Sequence, residues 1–263
     1  MAAPVTTAAK PAALARQDQT VVGLGLAAAV VGALAGLHAY SIFVFELGWA
    51  TAPIALVLAA LQCWLFVGVF IVAHDAMHGS LAPGRPRLNS AIGATLLFLY
   101  AGFSWTKLRD AHFAHHRHAG TAQDPDFCAD HPRAFWPWYA TFLKRYFGIG
   151  SVLFVTGVFW LYHLAFDVGV GKMLLFYAVP SIGSSLQLFY FGTFRPHRHG
   201  QDGFVDRHNA RSDSFGPLAS LASCFHFGYH HEHHCHPDTP WWALPRKRAS
   251  VLAGTTAGEE AGQ

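Results

Sequence analysis

The stretch TAPIALVLAALQCWLFVGVFIVAHDAMH (51–78) joins a long apolar segment directly to a pair of histidines. Residues 51–73 carry no charged side chain, and about 20 mostly apolar residues are enough to cross a bilayer as a helix. His74 and His78 follow at once and lie four residues apart, so a continuing helix would present both on one face. The stretch therefore predicts a membrane-spanning helix that ends in a candidate metal-binding pair.

Two further histidine clusters follow along the chain. One is HFAHH (112–116), and the other is HHEHH (230–234), which is preceded by FHFGY and followed by CHP. The chain has 18 histidines, as many as its lysines and arginines together, and most of them lie in clusters. Internal clusters at the ends of apolar segments indicate a metal site rather than scattered surface histidines.

Three more segments are apolar and long enough to cross a bilayer: residues 21–45, 151–168 and 172–194. Residues 88–105 are at the lower limit of the required length. A crossing there would put the second and third histidine clusters on opposite sides, so we interpret this segment as a re-entrant or interfacial hairpin. The predicted fold is an all-α integral membrane protein with four transmembrane helices, one such hairpin and a cytoplasmic histidine-rich cap.

The domain organisation follows from the same pattern. Residues 1–20 and 249–263 are expected to be disordered tails, and residues 21–248 a single membrane domain. The apolar stretch from residue 21 is longer than a signal-peptide core of about 7–15 residues. We therefore expect it to remain as a membrane helix.

Composition limits the class of protein. Hydrophobic residues make up 52% of the chain and charged residues only 13%, against about 25% charged in soluble domains. The net charge is only +3, and the sequence contains no basic tract suited to a nucleic-acid backbone. No nucleic-acid partner is therefore expected. The four cysteines lack the short spacings of a zinc knuckle or a disulfide framework.

Charge also predicts the orientation. With four crossings, 17 of the 18 lysines and arginines, all but Lys172, lie on the same side as both termini. The positive-inside rule makes that side cytoplasmic. The clustered histidines lie there too, so the prediction is a multi-pass protein of a bacterial inner membrane with its metal site and both termini in the cytoplasm.

The HxxHH spacing has a geometric consequence. Adjacent residues on a helix point about 100° apart, so the last two histidines of each triplet splay to either side of the first. Two triplets of this kind can serve two neighbouring metal ions better than one. Imidazole binds iron, zinc, copper and nickel, so the spacing alone does not choose the metal.

The order HxxxH, HxxHH, HxxHH resembles the integral membrane fatty-acid desaturase and hydroxylase superfamily, whose members hold a di-iron centre with histidines. Within it, five stretches resemble bacterial β-carotene ketolases. These are HDAMHGSLAPGRPRLN (74–89), HFAHHRHAGTAQDPDF (112–127), FYFGTFRPHR (189–198), DRHNARS (206–212) and FHFGYHHEHHCHPDTPWWALP (225–245). They span most of the chain after residue 70, whereas residues 1–70 resemble the family only in hydropathy.

The resemblance implies a set of metal ligands. They are His74, His78, His112, His115, His116, His197, His230, His233 and His234. His118, His226 and His231 stand beside this pattern and are left open as ligands, and the pairing of ligands with ions is open as well. Asp75, Asp124, Asp126 and Glu232 are candidates to accept hydrogen bonds from ligating rings, as carboxylates commonly do.

The resemblance also implies a reaction. The cofactors would be two Fe²⁺ ions with O₂ as co-substrate, and C4 of a β-ionone ring would be oxidised to a ketone, converting β-carotene to echinenone and canthaxanthin. The carotenoid would enter from the lipid bilayer. Since the sequence has no dinucleotide fingerprint or haem motif, we expect an external electron donor such as ferredoxin.

Two alternatives use the same histidine pattern: a carotenoid hydroxylase and a lipid desaturase. The segments DRHNARS (206–212) and HPDTPWWALP (236–245) favour the ketolase. A metal transporter would need polar ligands inside its spans, and these spans contain almost none.

Overall fold

A computed structural model describes residues 9–200 and 203–260, and in these ranges it contains helices and loops but no strand. The helices are α1 (Ala9–Ala39), α2 (Ala52–His78), α3 (Pro86–Ala101), α4 (Trp105–His118), α5 (Phe135–Tyr146), α6 (Ile149–Ala165), α7 (Val170–Met173), α8 (Val179–Phe189), α9 (Arg195–His197), α10 (Pro217–Cys224), α11 (His230–Cys235) and α12 (Leu244–Glu260). Wider π-helical turns extend α1 to Val44 and join α7, α8 and α9 into one continuous helical stretch.

Three helical stretches among the described residues are long and apolar enough to cross a membrane: Ala15–Val44, Trp49–His78 and Val170–His197. Two pairs of helices, α3 with α4 and α5 with α6, are also apolar enough but are bent by 102° and 85°. By length and composition the protein thus has three to five candidate spans. The bend after α3 coincides with the segment in which the sequence predicts a hairpin.

The ends of the chain differ from the sequence prediction. The structure describes residues 9–20 as part of α1 and residues 249–260 as part of α12, where disordered tails were predicted. Alanine is the strongest helix former, and both stretches are rich in it, which favours continuation of the neighbouring helices. Residues 1–8 and 261–263 lie outside the described ranges.

Helix α2 is the central element. Half of its most apolar window is buried within the protein, against 22% for α1, and it packs against α1, α3 and α8. It ends at Gly79, whose φ of 75° favours glycine because side chains are strained there. This stop places His74 and His78 in the last turn, where the chain leaves the helix.

Apolar packing divides into regions along α2. Near the histidine end, Val67, Ile71 and Leu97 belong to a core that includes Phe225 and Phe227. Near the other end, a second core gathers residues from helix ends and the segments that join them: Ile42, Phe45, Ala55, Ala59, Val168, Met173, Phe176 and Tyr177. Large apolar side chains such as Ile54, Leu56 and Leu164 are exposed on the outside, as expected of helices that face lipid.

Candidate metal centre

The first histidine group comprises His74, His78, His112, His116 and His233. Helix α2 supplies the first two and α4 the next two, each pair four residues apart on one helical face. One ring nitrogen from each of the five lies within 4.8 Å of the others. His78 Nε2 is 2.6 Å from His112 Nε2, and His116 Nε2 is 3.1 Å from His233 Nε2.

The second histidine group comprises His115, His197, His230 and His234, all of them buried. It combines one residue of α4, the last residue of α9 and two residues of α11 that lie four apart. His234 Nε2 lies 3.0 Å from His230 Nε2 and 3.2 Å from His115 Nε2. The nine histidines proposed from the sequence are therefore brought together, five in one group and four in the other.

Neighbouring histidines go to different groups. His115 belongs to the second group and His116 to the first, and His234 and His233 divide in the same way. This is the splay expected from the 100° rotation between adjacent helical residues. The stacked rings of His116 and His234, with centroids 4.2 Å apart, form the boundary between the two groups.

Both groups fit a metal ion. Imidazole binds zinc at about 2.0–2.1 Å, so two ring nitrogens on one ion lie at most about 4.2 Å apart. A small side-chain adjustment brings each group within that limit. His74 Nε2 and His197 Nε2 are buried without a hydrogen-bond partner in the described parts of the chain. Because buried polar atoms are nearly always satisfied, these two nitrogens indicate positions that an ion would occupy.

The histidines of α11 are suited to coordination. Burial, together with the neighbouring imidazoles, holds the pKa of His230, His233 and His234 well below 6.5. At neutral pH these rings are uncharged and keep a free lone pair. Neutral imidazole is the form that binds metal.

Two rings of the second group are held by oxygen acceptors. His115 Nδ1 donates to the Asp124 carboxylate at 3.0 Å from each oxygen, and Asp124 also accepts from the backbone N–H groups of Gly120 and Asp126 at 2.8 Å. His197 Nδ1 donates to the backbone oxygen of Asn209 at 2.7 Å. Such acceptors fix the tautomer and direct Nε2 towards the metal position.

The other three carboxylates proposed for this role make different contacts. Asp75 Oδ2 accepts from the backbone N–H of Trp241 at 3.0 Å, while its other oxygen is 3.7 Å from His74 Nδ1, too far for a hydrogen bond. Asp126 accepts from the Tyr146 hydroxyl and is 3.9 Å from His115 Nδ1. Glu232 accepts from Ser212 and Arg248.

The histidines that the sequence left open lie outside both groups. His118 is exposed at the end of α4. His226 stacks with Tyr229 at a centroid distance of 5.9 Å, and its φ of 63° breaks the helix that would have aligned it with His230. His231 Nε2 contacts Asp206 at 2.8 Å.

An apolar cavity of about 490 Å³ adjoins both groups. His74 and His112 line it from the first group, and His115 and His230 from the second. Its remaining wall is mainly aromatic and aliphatic and includes Phe70, Met77, Tyr100, Phe103, Phe142, Leu188 and Phe227. A flexible apolar molecule could thus reach both groups at once.

Two contributors to the centre carried no signal in the sequence. Phe227 packs between the groups, with its ring centroid 4.7 Å from His74 and 5.0 Å from His230. Asn209 contributes a backbone oxygen, which any residue has. The motif DRHNARS (206–212) marked this region but could not show that contact.

Comparison with known proteins agrees with this architecture. A fatty acid desaturase family model matches residues 47–165 and 149–257. The chain is 50% identical over 231 residues to a β-carotene ketolase of Paracoccus sp. strain PC1, covering 87% of this chain and 93% of that protein. A β-carotene ketolase of a second Paracoccus strain is 48% identical, covering 90% and 96%. A zeaxanthin 4-ketolase of Chlamydomonas reinhardtii is 35% identical, covering 86% of this chain and 53% of that protein.

Proposed function

Since this chain belongs to the fatty acid desaturase family and, within it, to the β-carotene ketolases, we propose that it oxidises C4 of β-ionone rings to a ketone. β-Carotene would give echinenone and then canthaxanthin. The observation that carries this proposal is the apolar cavity into which both histidine groups open. There a hydrocarbon ring and a metal centre would meet.

The nine histidines would hold two iron ions, one in each group. With O₂, iron supplies an oxidant strong enough to remove hydrogen from a C–H bond, which side-chain acid–base chemistry cannot do. The chain's own contribution is the two groups of imidazole rings. His115 and His197 are directed by Asp124 and by the backbone of Asn209.

The cavity would position the substrate. A carotene ring has no group to hydrogen-bond, so shape and apolar contact must place C4 near the centre. Phe103, Leu188 and Phe227 offer such contact. The hydroxyls of two wall tyrosines are paired with serines, Tyr100 with Ser184 at 2.7 Å and Tyr139 with Ser185 at 3.1 Å. An apolar wall also excludes water from the reacting carbon.

The reaction would proceed in two rounds at one carbon. Each hydroxylation consumes one O₂, two electrons and two protons and releases one water. The second round gives a gem-diol, which loses water to leave the ketone. We infer that the electrons come from a separate donor such as ferredoxin. Purified protein should therefore form ketone only when a reduced donor is supplied along with O₂.

Orientation is part of the proposal. The histidine groups would face the cytoplasm of a bacterial cell, with the protein in the inner membrane. The bias of lysines and arginines towards that side supports this, as does the position of Lys172, which donates to the Ile42 backbone oxygen at the other end of the bundle. Reporter fusions after residues 48, 85, 170 and 200 should read outside, inside, outside and inside. Opposite readings for fusions after residues 85 and 118 would contradict a shared centre.

Product analysis tests the activity directly. Expression in a bacterium that accumulates β-carotene should yield echinenone and canthaxanthin, identified by chromatography and absorption. The His116→Ala variant is the matched control and should leave β-carotene unchanged. Zeaxanthin as the sole new product would identify a hydroxylase, and unchanged carotene with a newly desaturated lipid would identify a desaturase.

A further inference from the structure

Helix α11 presents histidines on two faces. His230, His233 and His234 point inwards and complete the two histidine groups. His231 and Cys235 lie four residues apart on the other side of the same helix and are partly exposed. Cys235 Sγ lies 3.7 Å from His231 Nε2. The outward face thus carries two further metal-binding side chains that the nine-histidine centre does not use.

A neighbouring loop brings two more donors to this face. Asp206 Oδ2 lies 2.8 Å from His231 Nε2. Asp206 Oδ1 accepts from the backbone N–H of His208 at 2.9 Å, which fixes the two residues relative to each other. One ligand atom from each of Asp206, His208 and Cys235 lies within 4.8 Å of the other two. Sulfur, nitrogen and oxygen donors therefore converge at one point on the surface.

We propose that Asp206, His208 and Cys235 form a third metal site, separate from the nine-histidine centre. His231 lies beside it, in contact with Asp206 and Cys235. Zinc binds thiolate at about 2.3 Å and imidazole or carboxylate at about 2.0–2.2 Å. In a tetrahedral site these bonds separate the ligand atoms by about 3.3–3.7 Å. The metal expected for this mixed set of sulfur, nitrogen and oxygen ligands is a borderline divalent ion such as Zn²⁺ or Fe²⁺.

The surroundings indicate that ions at this site exchange with solution. The Asp206 side chain is 38% exposed and that of His231 25% exposed, whereas every ring of the second histidine group is buried. The His208 ring is also close to that group, with its centroid 6.2 Å from the ring of His234. A chelator should therefore remove the ion of this site before the ion of the second histidine group.

Cobalt titration of the purified full-length chain in detergent tests the site. A Co²⁺–thiolate bond gives a near-ultraviolet charge-transfer band, which Co²⁺ bound only by histidines does not give. The variants are Cys235→Ser, which removes the thiolate, and His208→Ala, which removes one nitrogen donor. Cys63→Ser is the matched control because Cys63 lies on α2, where its sulfur contacts Gln187.

The expected result is a thiolate band in the wild type and in Cys63→Ser and no band in Cys235→Ser. In His208→Ala the Co²⁺ concentration at half-saturation should rise about tenfold or more. Visible d–d absorption from the histidine groups should persist in all of them. The absence of a thiolate band when those groups are filled, or a band that survives Cys235→Ser, would overturn the third site. A thiolate band without filling of the histidine groups would instead overturn the two-ion centre and support the third site.

Discussion

The two histidine groups are built from overlapping segments but hold their rings differently. In the second group all four rings are buried, and the Nδ1 atoms of His115 and His197 donate to oxygen atoms. In the first group three of the five rings are only partly buried. Within the described residues, none of its five Nδ1 atoms has an oxygen acceptor.

This difference implies that the rings of the two groups are ordered to different extents before a metal ion binds. Rings that already donate through Nδ1 have a fixed tautomer and a fixed direction for Nε2, so a metal ion need not order them. In the first group much of that ordering must come from the ion itself. We therefore expect the second group to bind its ion more tightly, and the first group to lose its ion first during chelation.

Replacing neighbouring histidines of α4 should give the largest effect. His115→Ala and His116→Ala each remove a ligand, from the second and the first group respectively. Each should abolish ketone formation and lower the iron content from two ions per chain towards one. Metal analysis and pigment analysis of the purified variants measure both effects. His118→Ala, on the same helix but outside both groups, should keep its iron and its activity.

The same variants test the asymmetry. The ion retained by His115→Ala lies in the first group and should be lost to a chelator sooner than the ion retained by His116→Ala. Equal rates of loss would show that the oxygen acceptors of the second group do not matter. Full activity with both ions in either variant would contradict the assignment of the groups.

Removing one acceptor should have the next largest effect. In Asp124→Asn the carboxylate that accepts from His115 Nδ1 is lost, so the ring is no longer held in one tautomer. The affinity of the second group for its ion should fall about 10–100-fold, as measured by competition with a chelator. Asp130→Asn changes an exposed carboxylate of the same loop and is the matched control. An unchanged affinity in Asp124→Asn would remove the basis of the comparison.

These contacts show how far the sequence could predict the site. The period of a helix predicted that His74 and His78 share a face and that the last two histidines of each HxxHH triplet point to different sides. The full set of nine, with His197, was implied only by the resemblance. Asp124 reaches His115 only because the chain turns back after α4, through Gly120 with a φ of 68°. Asp124, Asp126 and Glu232 look alike in sequence, and the loop conformation decides which of them touches a ring.

The fold, too, was predictable from sequence only in part. Apolar length predicted the long spans, since it is a property of local sequence. Length and composition do not give the 102° bend between α3 and α4 or the 85° bend between α5 and α6. The first bend follows Gly102, whose φ of 66° ends α3. Disorder was predicted for residues 9–20, but the structure describes them as part of α1. The helix propensity of their alanines favours this outcome.

A packing change tests whether the two groups depend on each other. A Cβ atom at Gly192 would lie 2.6 Å from the ring of Phe227, which contacts His74 and His230 from opposite groups. Gly192→Ala should force this ring to move and destabilise the protein by about 1–3 kcal/mol, with reduced activity and weaker binding of both ions. Thermal unfolding in detergent and metal titration measure these changes.

Gly157→Ala is the control for that variant, because nothing lies within 4 Å of a Cβ atom at Gly157. It should leave stability, metal content and activity close to those of the wild type. If Gly192→Ala weakens only one ion, Phe227 does not couple the groups, and their difference lies in the oxygen acceptors alone.

The smallest effect is expected at His226, which lies near α11 but in neither group. Burial lowers the pKa of this ring from 6.5 to about 4, so it stays neutral in the folded protein at pH values where the unfolded chain binds a proton. Stability should therefore fall as pH drops from 6.5 towards 4, by an amount that corresponds to at most one proton for this residue.

His226→Asn removes that contribution, and asparagine tolerates the φ of 63°. The variant should keep both ions at pH 7 and lose stability less steeply between pH 6.5 and 4 than the wild type, as measured by denaturant unfolding across this range. His118→Ala, which alters an exposed ring, should match the wild-type slope. Loss of an ion in His226→Asn would instead make His226 a ligand and extend the second group beyond four rings.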